Sequence, residues 1–167
     1  MKKIIYFAVA AMMFSSCNDF LDSESYTQKN TGNYPLTAED AEQVITGIYN
    51  NLNIVNANPQ YSFFYYSELA SDDRLGGGGF HDQLMQAEDL MLNTGSTMYT
   101  QFYQDRYKGV FRANMAIETL GNCKGVTEEA LNQYKGEAYF LRAYYYYELA
   151  SMFGNIPCPV SSVADPT

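Results

Sequence analysis

Along residues 37–53, apolar side chains recur in steps of three and four: Ala41, Val44, Ile45, Ile48, Tyr49 and Leu52. That period collects them into one buried stripe on an α-helix. Thr37 precedes the run and Asp40 stands three residues on, the spacing of a capping box in which two orphan N–H groups are satisfied reciprocally. Pro35 lies upstream, where its missing N–H does no harm. A second stripe runs through Tyr99, Tyr103, Tyr107, Val110, Asn114, Ile117 and Leu120, and Gly121 and Asn122 end it. A third runs through Leu131, Tyr134, Ala138, Leu141, Tyr145, Leu149 and Met152. Thr127 caps that helix, Glu128 and Glu129 sit at its positive end, and Gly154 and Pro157 close it. The turn between the second and third helices is short, so the two should lie antiparallel as a hairpin.

Between the first two stripes, "PQYSFFYYSELASDD" reads as a short helix or an extended segment, with Pro59 marking a boundary. "RLGGGGF" follows; glycines at 76–79 support neither helix nor strand and read as a mobile loop. No run alternates as a convincing strand does. The expected fold class is therefore all-α, built from paired helices. Ala143, Tyr147 and Ala150 repeat the small–aromatic–small spacing of the second helix of a tetratricopeptide repeat.

Two features of the stripes set requirements. Asn114 falls inside an apolar stripe, and its carboxamide must find partners or cost about 1–3 kcal/mol. Tyr144, Tyr145, Tyr146 and Tyr147 are consecutive, so at about 100° per residue they point almost all the way round the helix. A helix aromatic on every side calls for cover on every side. The neighbouring helix supplies one side only, so residues 17–167 alone are expected to expose an aromatic face and to aggregate.

Composition narrows the class. Of 167 residues, 47% are hydrophobic, enough for a core, and only 17% are charged. The net charge of −9 opposes a phosphate backbone, which argues against nucleic acid as a partner. "MKKIIYFAVAAMMFSSC" has two lysines, an apolar run from Ile4 to Phe14, and small residues before Cys17: the layout of a secretory signal. The run is shorter than the roughly 20 residues a membrane span needs. "FSSC" resembles the lipobox of bacterial lipoproteins, with Phe14 where Leu is more usual. On that reading residues 1–16 are a lipoprotein signal peptide, Cys17 carries the lipid, residues 17–36 form a polar tether, and 37–167 form the helical region. An ordinary cleaved signal with an incidental cysteine is the alternative. Cys123 and Cys158 flank the last helix, about 26 residues and nearly 40 Å long, beyond the roughly 7 Å that a disulfide spans. Both are expected to be free thiols.

The whole of "YKGEAYFLRAYYYYELASMFGNIP" resembles the signature of the SusD/RagB family of outer-membrane nutrient-binding lipoproteins. "SSCNDFLD", "YPLTAEDAEQVITGIYNNL", "ELASDD" before the glycines, and "YKGVFRANMAIE" resemble other family segments in the expected order, with Arg112, Ala113 and Asn114 matching and Tyr103 where Trp is frequent. The signature residues on this chain are Asn114, Gly136, Glu137, Arg142, Tyr146, Gly154 and Pro157. The resemblance implies the N-terminal part of a SusD-like fold with tetratricopeptide-like helix pairs. It implies a non-catalytic, surface-exposed, lipid-anchored outer-membrane protein that captures oligosaccharides, or peptides, for a TonB-dependent transporter of the SusC type. No cofactor is implied. Family members are much longer, so the chain corresponds to their N-terminal portion, a truncation relative to them.

Sugar binding needs aromatic platforms beside planar polar groups. Residues 72–98 offer Asp72, Asp73, Arg74, Phe80, His81 and Asp82 beside the glycines, and the resemblance implies that part of a glycan site can come from this segment. The bland alternative is an ordinary variable loop. The glycines lack the Lys-Ser/Thr of a phosphate loop. His81, the one histidine, has no second ligand at metal spacing. Asp72–Asp73 and Glu128–Glu129 are adjacent in sequence, which is not the facing geometry of glycoside hydrolysis. A lipid-anchored helical adaptor that binds only protein is the competing function.

Overall fold

The computed structural model describes residues 34–53, 62–71, 73–79, 82–91 and 95–163. These form five α-helices: α1 (Ala38–Tyr49), α2 (Phe63–Leu69), α3 (Gln83–Glu88), α4 (Thr97–Thr119) and α5 (Glu128–Phe153). Single 3₁₀ turns follow α1 and α4, and no strand occurs among the described residues. The chain is all-α, as the periodicity predicts. The expected caps are in place. The Thr37 hydroxyl accepts from the Asp40 N–H at 3.1 Å while the Asp40 carboxylate accepts from the Thr37 N–H at 3.2 Å. The Thr127 hydroxyl accepts from the Ala130 N–H at 3.2 Å. Gly154 takes φ +73° at the end of α5, a conformation that glycine adopts without a Cβ penalty.

α4 and α5 pair as the long hairpin, and α1 packs against both. Their shared core holds Ala41, Ile45 and Ile48 of α1, Val110, Ala113 and Ala116 of α4, and Ala138, Leu141, Tyr145 and Leu149 of α5. Gly109 makes the close approach possible: a Cβ there would lie 2.6 Å from a carbon of the Tyr145 ring. The Tyr145 hydroxyl donates to the Ile48 carbonyl at 2.7 Å, so one ring ties all three helices together. A second cluster gathers Tyr66 and Leu69 of α2, Ala87 of α3, and Met98, Tyr99 and Phe102 at the start of α4.

A buried ion pair crosses the hairpin. Arg106 and Glu148 are in direct contact, with side chains 2% and 3% exposed. The guanidinium lies over the Phe102 ring, 4.9 Å from its centroid, and near the Tyr145 ring. Burial, and then interaction with the same carboxylate, push the Tyr144 phenol up to about 12. Both Cys123, buried, and Cys158, exposed, are free thiols.

The four tyrosines divide their labour. Tyr145 is fully buried and Tyr146 half-buried, whereas Tyr144 and Tyr147 are 38% and 62% exposed. Cover on every side is not supplied by the described residues, and the aromatic face expected from the sequence is there.

Candidate functional site

α2 starts at Ser62, whose hydroxyl accepts from the Tyr65 N–H at 3.1 Å. Adjacent positions on this short helix diverge by about 100°, so its two tyrosines part. Tyr66 enters the core, stacked on Tyr99 at 5.2 Å and edge-on to Phe102. Tyr65 stays half-exposed, and the Arg74 guanidinium sits 5.3 Å from its ring centroid, within cation–π range. Asp73 and Arg74 are both exposed. Tyr65 and Arg74 thus form a ring–guanidinium pair, with the exposed Asp73 next to Arg74 in the chain; these are residue types that bind sugar hydroxyls and ring faces.

Asp82 has a different task. It caps α3, its carboxylate accepting from the Leu84 N–H at 2.8 Å. α3 is a six-residue helix where the sequence suggested only loop. The signal for it was that cap followed by Leu84, Met85 and Ala87, too short a run to establish a period. The glycine loop is tied to this helix at its first residue. The Gly76 N–H donates to the Glu88 carboxylate at 2.5 Å. A Cβ on Gly76 would lie 2.4 Å from the Leu84 carbonyl oxygen, so only glycine permits the approach. Asp72, Phe80 and His81 lie outside the described residues, as does Cys17.

Beside α3 a hollow of about 200 Å³ opens, lined chiefly by Tyr66, Ala87, Leu90, Tyr99, Ser151 and Met152. Leu90 forms part of its wall with φ 57°, a left-handed conformation that costs a residue with a Cβ roughly 1–2 kcal/mol. Such strain is often held at functional loops. Burial raises the Tyr99 phenol. The hollow has room for one small ring or side chain, less than drug-sized sites need. A broader groove of about 350 Å³ lies between α1 and α4, with Val44, Phe111, Arg112 and Met115 on its walls. One Arg112 nitrogen there donates to the Gly47 carbonyl and the Asn51 carboxamide, both at 3.1 Å, and so ties the two helices.

The signature residues gather elsewhere, around the chain leaving α5. Asn114 donates to the Pro159 carbonyl at 3.0 Å and the Ser161 carbonyl at 3.1 Å, and accepts from Arg142 at 2.7 Å. The Tyr146 hydroxyl donates to Pro159 and the Tyr107 hydroxyl donates to Pro157. Asn114 thus has the partners its place in an apolar stripe demands. Five signature residues, Asn114, Arg142, Tyr146, Gly154 and Pro157, turn the chain and fasten residues 157–161 against α4 and α5. Glu137 accepts from Gln133 at 3.0 Å, and Gly136 is exposed with open space about it. Sequence reasoning missed Glu118, whose carboxylate accepts from the Ser162 hydroxyl and, at 2.9 Å, the Ser162 N–H.

Those Ser162 bonds hold the Glu118 carboxyl below its ordinary value. A depressed carboxylate stabilises the fold above its unfolded pKa, near 4.5, and loses that contribution as pH falls through the lower folded value. Hydrogen exchange at Ser162 should therefore accelerate as pH drops below about 4.5 relative to the same amide in Glu118→Gln. Equal acid sensitivity in the two proteins would remove Glu118 from the clamp.

Among the described residues, no three His, Cys, Asp or Glu side chains gather as a metal site, and no helix is long and apolar enough to cross a membrane. The fold is an all-α protein organised on an antiparallel helix pair whose exit is clamped by its own signature side chains. A family model for SusD-like proteins, described as starch-binding and associating with the outer membrane, matches residues 19–167. The chain belongs to the SusD-like family. Over 149 residues it is 28% identical to "SusD-like protein P38" of Formosa agariphila, covering 87% of this chain and 27% of that protein. It is 18% identical to "SusD-like protein P25" of the same organism over 167 residues, covering 93% of this chain and 31% of the relative. The chain spans about a quarter to a third of the length of these two relatives. No solved structure matches it.

Proposed function

We propose that the chain is the N-terminal helical part of a non-catalytic surface protein that captures oligosaccharides, or peptides, and passes them to a TonB-dependent outer-membrane transporter of the SusC type. In this reading residues 1–16 export the chain, Cys17 carries the lipid, and residues 17–36 stand the helical region off the outer membrane. Its acyl chains would hold the membrane at about 0.8 kcal/mol per buried CH₂. The observation that carries the reading is the match, over residues 19–167, to a family described as starch-binding and associating with the outer membrane. The Tyr65–Arg74 pair, with Asp73 exposed next to Arg74 in the chain, supports it locally: the ring offers a face to stack on a sugar, and the guanidinium and carboxylate offer donors and acceptors to paired hydroxyls.

Calorimetric titration with maltoheptaose, with a tetrapeptide in parallel, tests this. Arg74→Ala should weaken glycan binding about tenfold, near 1.4 kcal/mol, with no change in melting temperature because the side chain is exposed. Unchanged affinity would take Arg74 out of the site. The competing reading, a protein-binding adaptor, draws on the exposed aromatic face of α5. Tight binding to a soluble protein with no response to glycan would favour it.

A further inference from the structure

The Arg74 guanidinium sits 5.3 Å from the Tyr65 ring centroid, yet it forms no ion pair among the described residues. A cation–π contact at an exposed site is weak, and an arginine gives up the freedom of several rotatable bonds to make it. The pair therefore cannot fix its own geometry. The backbone on either side of Arg74 has to deliver the side chain to the ring. Towards α2 the anchor is local: the Ser71 hydroxyl donates to the Glu68 carbonyl at 2.7 Å and accepts from the Asp73 N–H at 3.3 Å.

On the other side the anchor comes from α3. Two residues past Arg74, the Gly76 N–H donates to the Glu88 carboxylate across 12 residues of sequence. Both groups are half-buried. Gly76 comes this close to α3 only because it lacks a Cβ, which would lie 2.4 Å from the Leu84 carbonyl oxygen. Nothing local favours an acid at position 88. Glu88 is the last residue of α3, where the free carbonyls of a helix end repel negative charge. The Gly76 N–H offsets that repulsion. Ala87, the residue before Glu88, packs in one cluster with Tyr66, the residue after Tyr65. The carboxylate and the ring thus project from two helices that share a core contact.

We infer that Glu88 is a positioning residue: by holding the Gly76 N–H it sets the backbone that places the Arg74 guanidinium over the Tyr65 ring. The inference deepens the proposed function and rests on it for its consequence in binding. A guanidinium already held on its ring meets a ligand without the entropic cost of ordering a free arginine. Glu88 acts through Arg74 and not on the ligand, so its loss should resemble the loss of Arg74 and add nothing to it.

The side-chain nuclear magnetic resonance signals of Arg74, in the full chain in mild detergent, read the placement directly. The chain has four arginines, and the Arg74 signal is the one that Arg74→Lys removes. Lying over the ring, it should resonate upfield of its position in Tyr65→Leu. Glu88→Ala should return it to that unshielded position. Glu88→Gln keeps an acceptor oxygen of the same reach and should restore the upfield shift. Gly76→Ala leaves the carboxylate but forces the loop away, so its Arg74 signal should match that of Glu88→Ala. The Ala87 methyl, packed in the core cluster, reports the docking of α3 and should hold its position in both Glu88 variants. An Arg74 signal unmoved by Glu88→Ala, or moved only together with the Ala87 methyl, would overturn the inference. Binding gives a second reading. Glu88→Ala should weaken maltoheptaose about tenfold, as Arg74→Ala does, and the double variant should bind no more weakly than either. Independent losses multiplying to about a hundredfold would also overturn it. A wild-type chain that ignores maltoheptaose, yet shows an upfield Arg74 signal that Glu88→Ala abolishes, would remove the proposed function and uphold the positioning.

Discussion

Replacing Glu148 by Ala should destabilise the chain by about 3–5 kcal/mol, the cost of stranding a buried guanidinium without its counter-charge. Arg106 and Glu148 are 2% and 3% exposed at the centre of the α4–α5 contact, so water cannot enter to solvate the charge that is left. For an ordinary domain with 5–15 kcal/mol of stability, that is a large fraction of the total. Glu148→Gln should fall short of full rescue, since a carboxamide keeps the volume without the charge. Arg106→Met/Glu148→Leu should recover most of the loss, because well-packed apolar side chains often match or exceed a buried ion pair. Urea unfolding followed by circular dichroism reads all three. If the double variant were as unstable as the sum of its single changes, the two side chains would not be acting as a pair.

Gly109→Val should be the next most damaging change, costing about 2–3 kcal/mol through overpacking. The expectation runs against helix propensity, which favours any residue with a Cβ over glycine by several tenths to about 1 kcal/mol. Packing wins here because the Cβ would come within 2.6 Å of the Tyr145 ring, and that ring is fixed by its hydroxyl bond to Ile48. Gly136 provides the internal control on the partner helix. A Cβ there meets nothing within 4 Å, so Gly136→Ala should stabilise by about 0.5–1 kcal/mol. Thermal melts of the two variants should move in opposite directions; a rise for both would show that α4 can withdraw from α5 without penalty.

These two positions also mark what a sequence can and cannot disclose. The three long helices, their caps and the stripe through Ala138, Leu141, Tyr145 and Leu149 are local patterns, and each was legible from spacing. Arg106 and Glu148 are 42 residues apart, and nothing local says that two charged side chains will meet in the core. Glu148 did stand inside an apolar run between Tyr145 and Leu149, which in retrospect was the available signal. The signature motif was recognisable as a motif, yet its physical role was not. Asn114 had to find partners, but only the chain's return past Pro157 places the Pro159 and Ser161 carbonyls beside it. The candidate site divides in the same way. Residue type alone singled out Asp73, Arg74 and Asp82 together. The fold keeps Arg74 on the Tyr65 ring and Asp73 at the surface, and commits Asp82 to capping a helix too short to have shown a period. The run of tyrosines was legible only as a demand for cover. The structure resolves that demand into one tie at Tyr145, one clamp at Tyr146 and an open face at Tyr144 and Tyr147.

The clamp has a consequence for function. It carries the chain from the end of α5 back along the hairpin, so the signature acts on where the following backbone is held. The family motif holds this part of the scaffold, and on the proposed function the segment around Tyr65 and Arg74 is where ligand contacts are to be sought.

The most direct test is to isolate the chain from the outer membranes of its native host by a C-terminal tag, in mild detergent, and identify what comes with it. Capture for import predicts a TonB-dependent barrel in near-equal amount, retained at moderate salt. Recovery of the chain from the aqueous fraction, or with a soluble protein and no barrel, would contradict it.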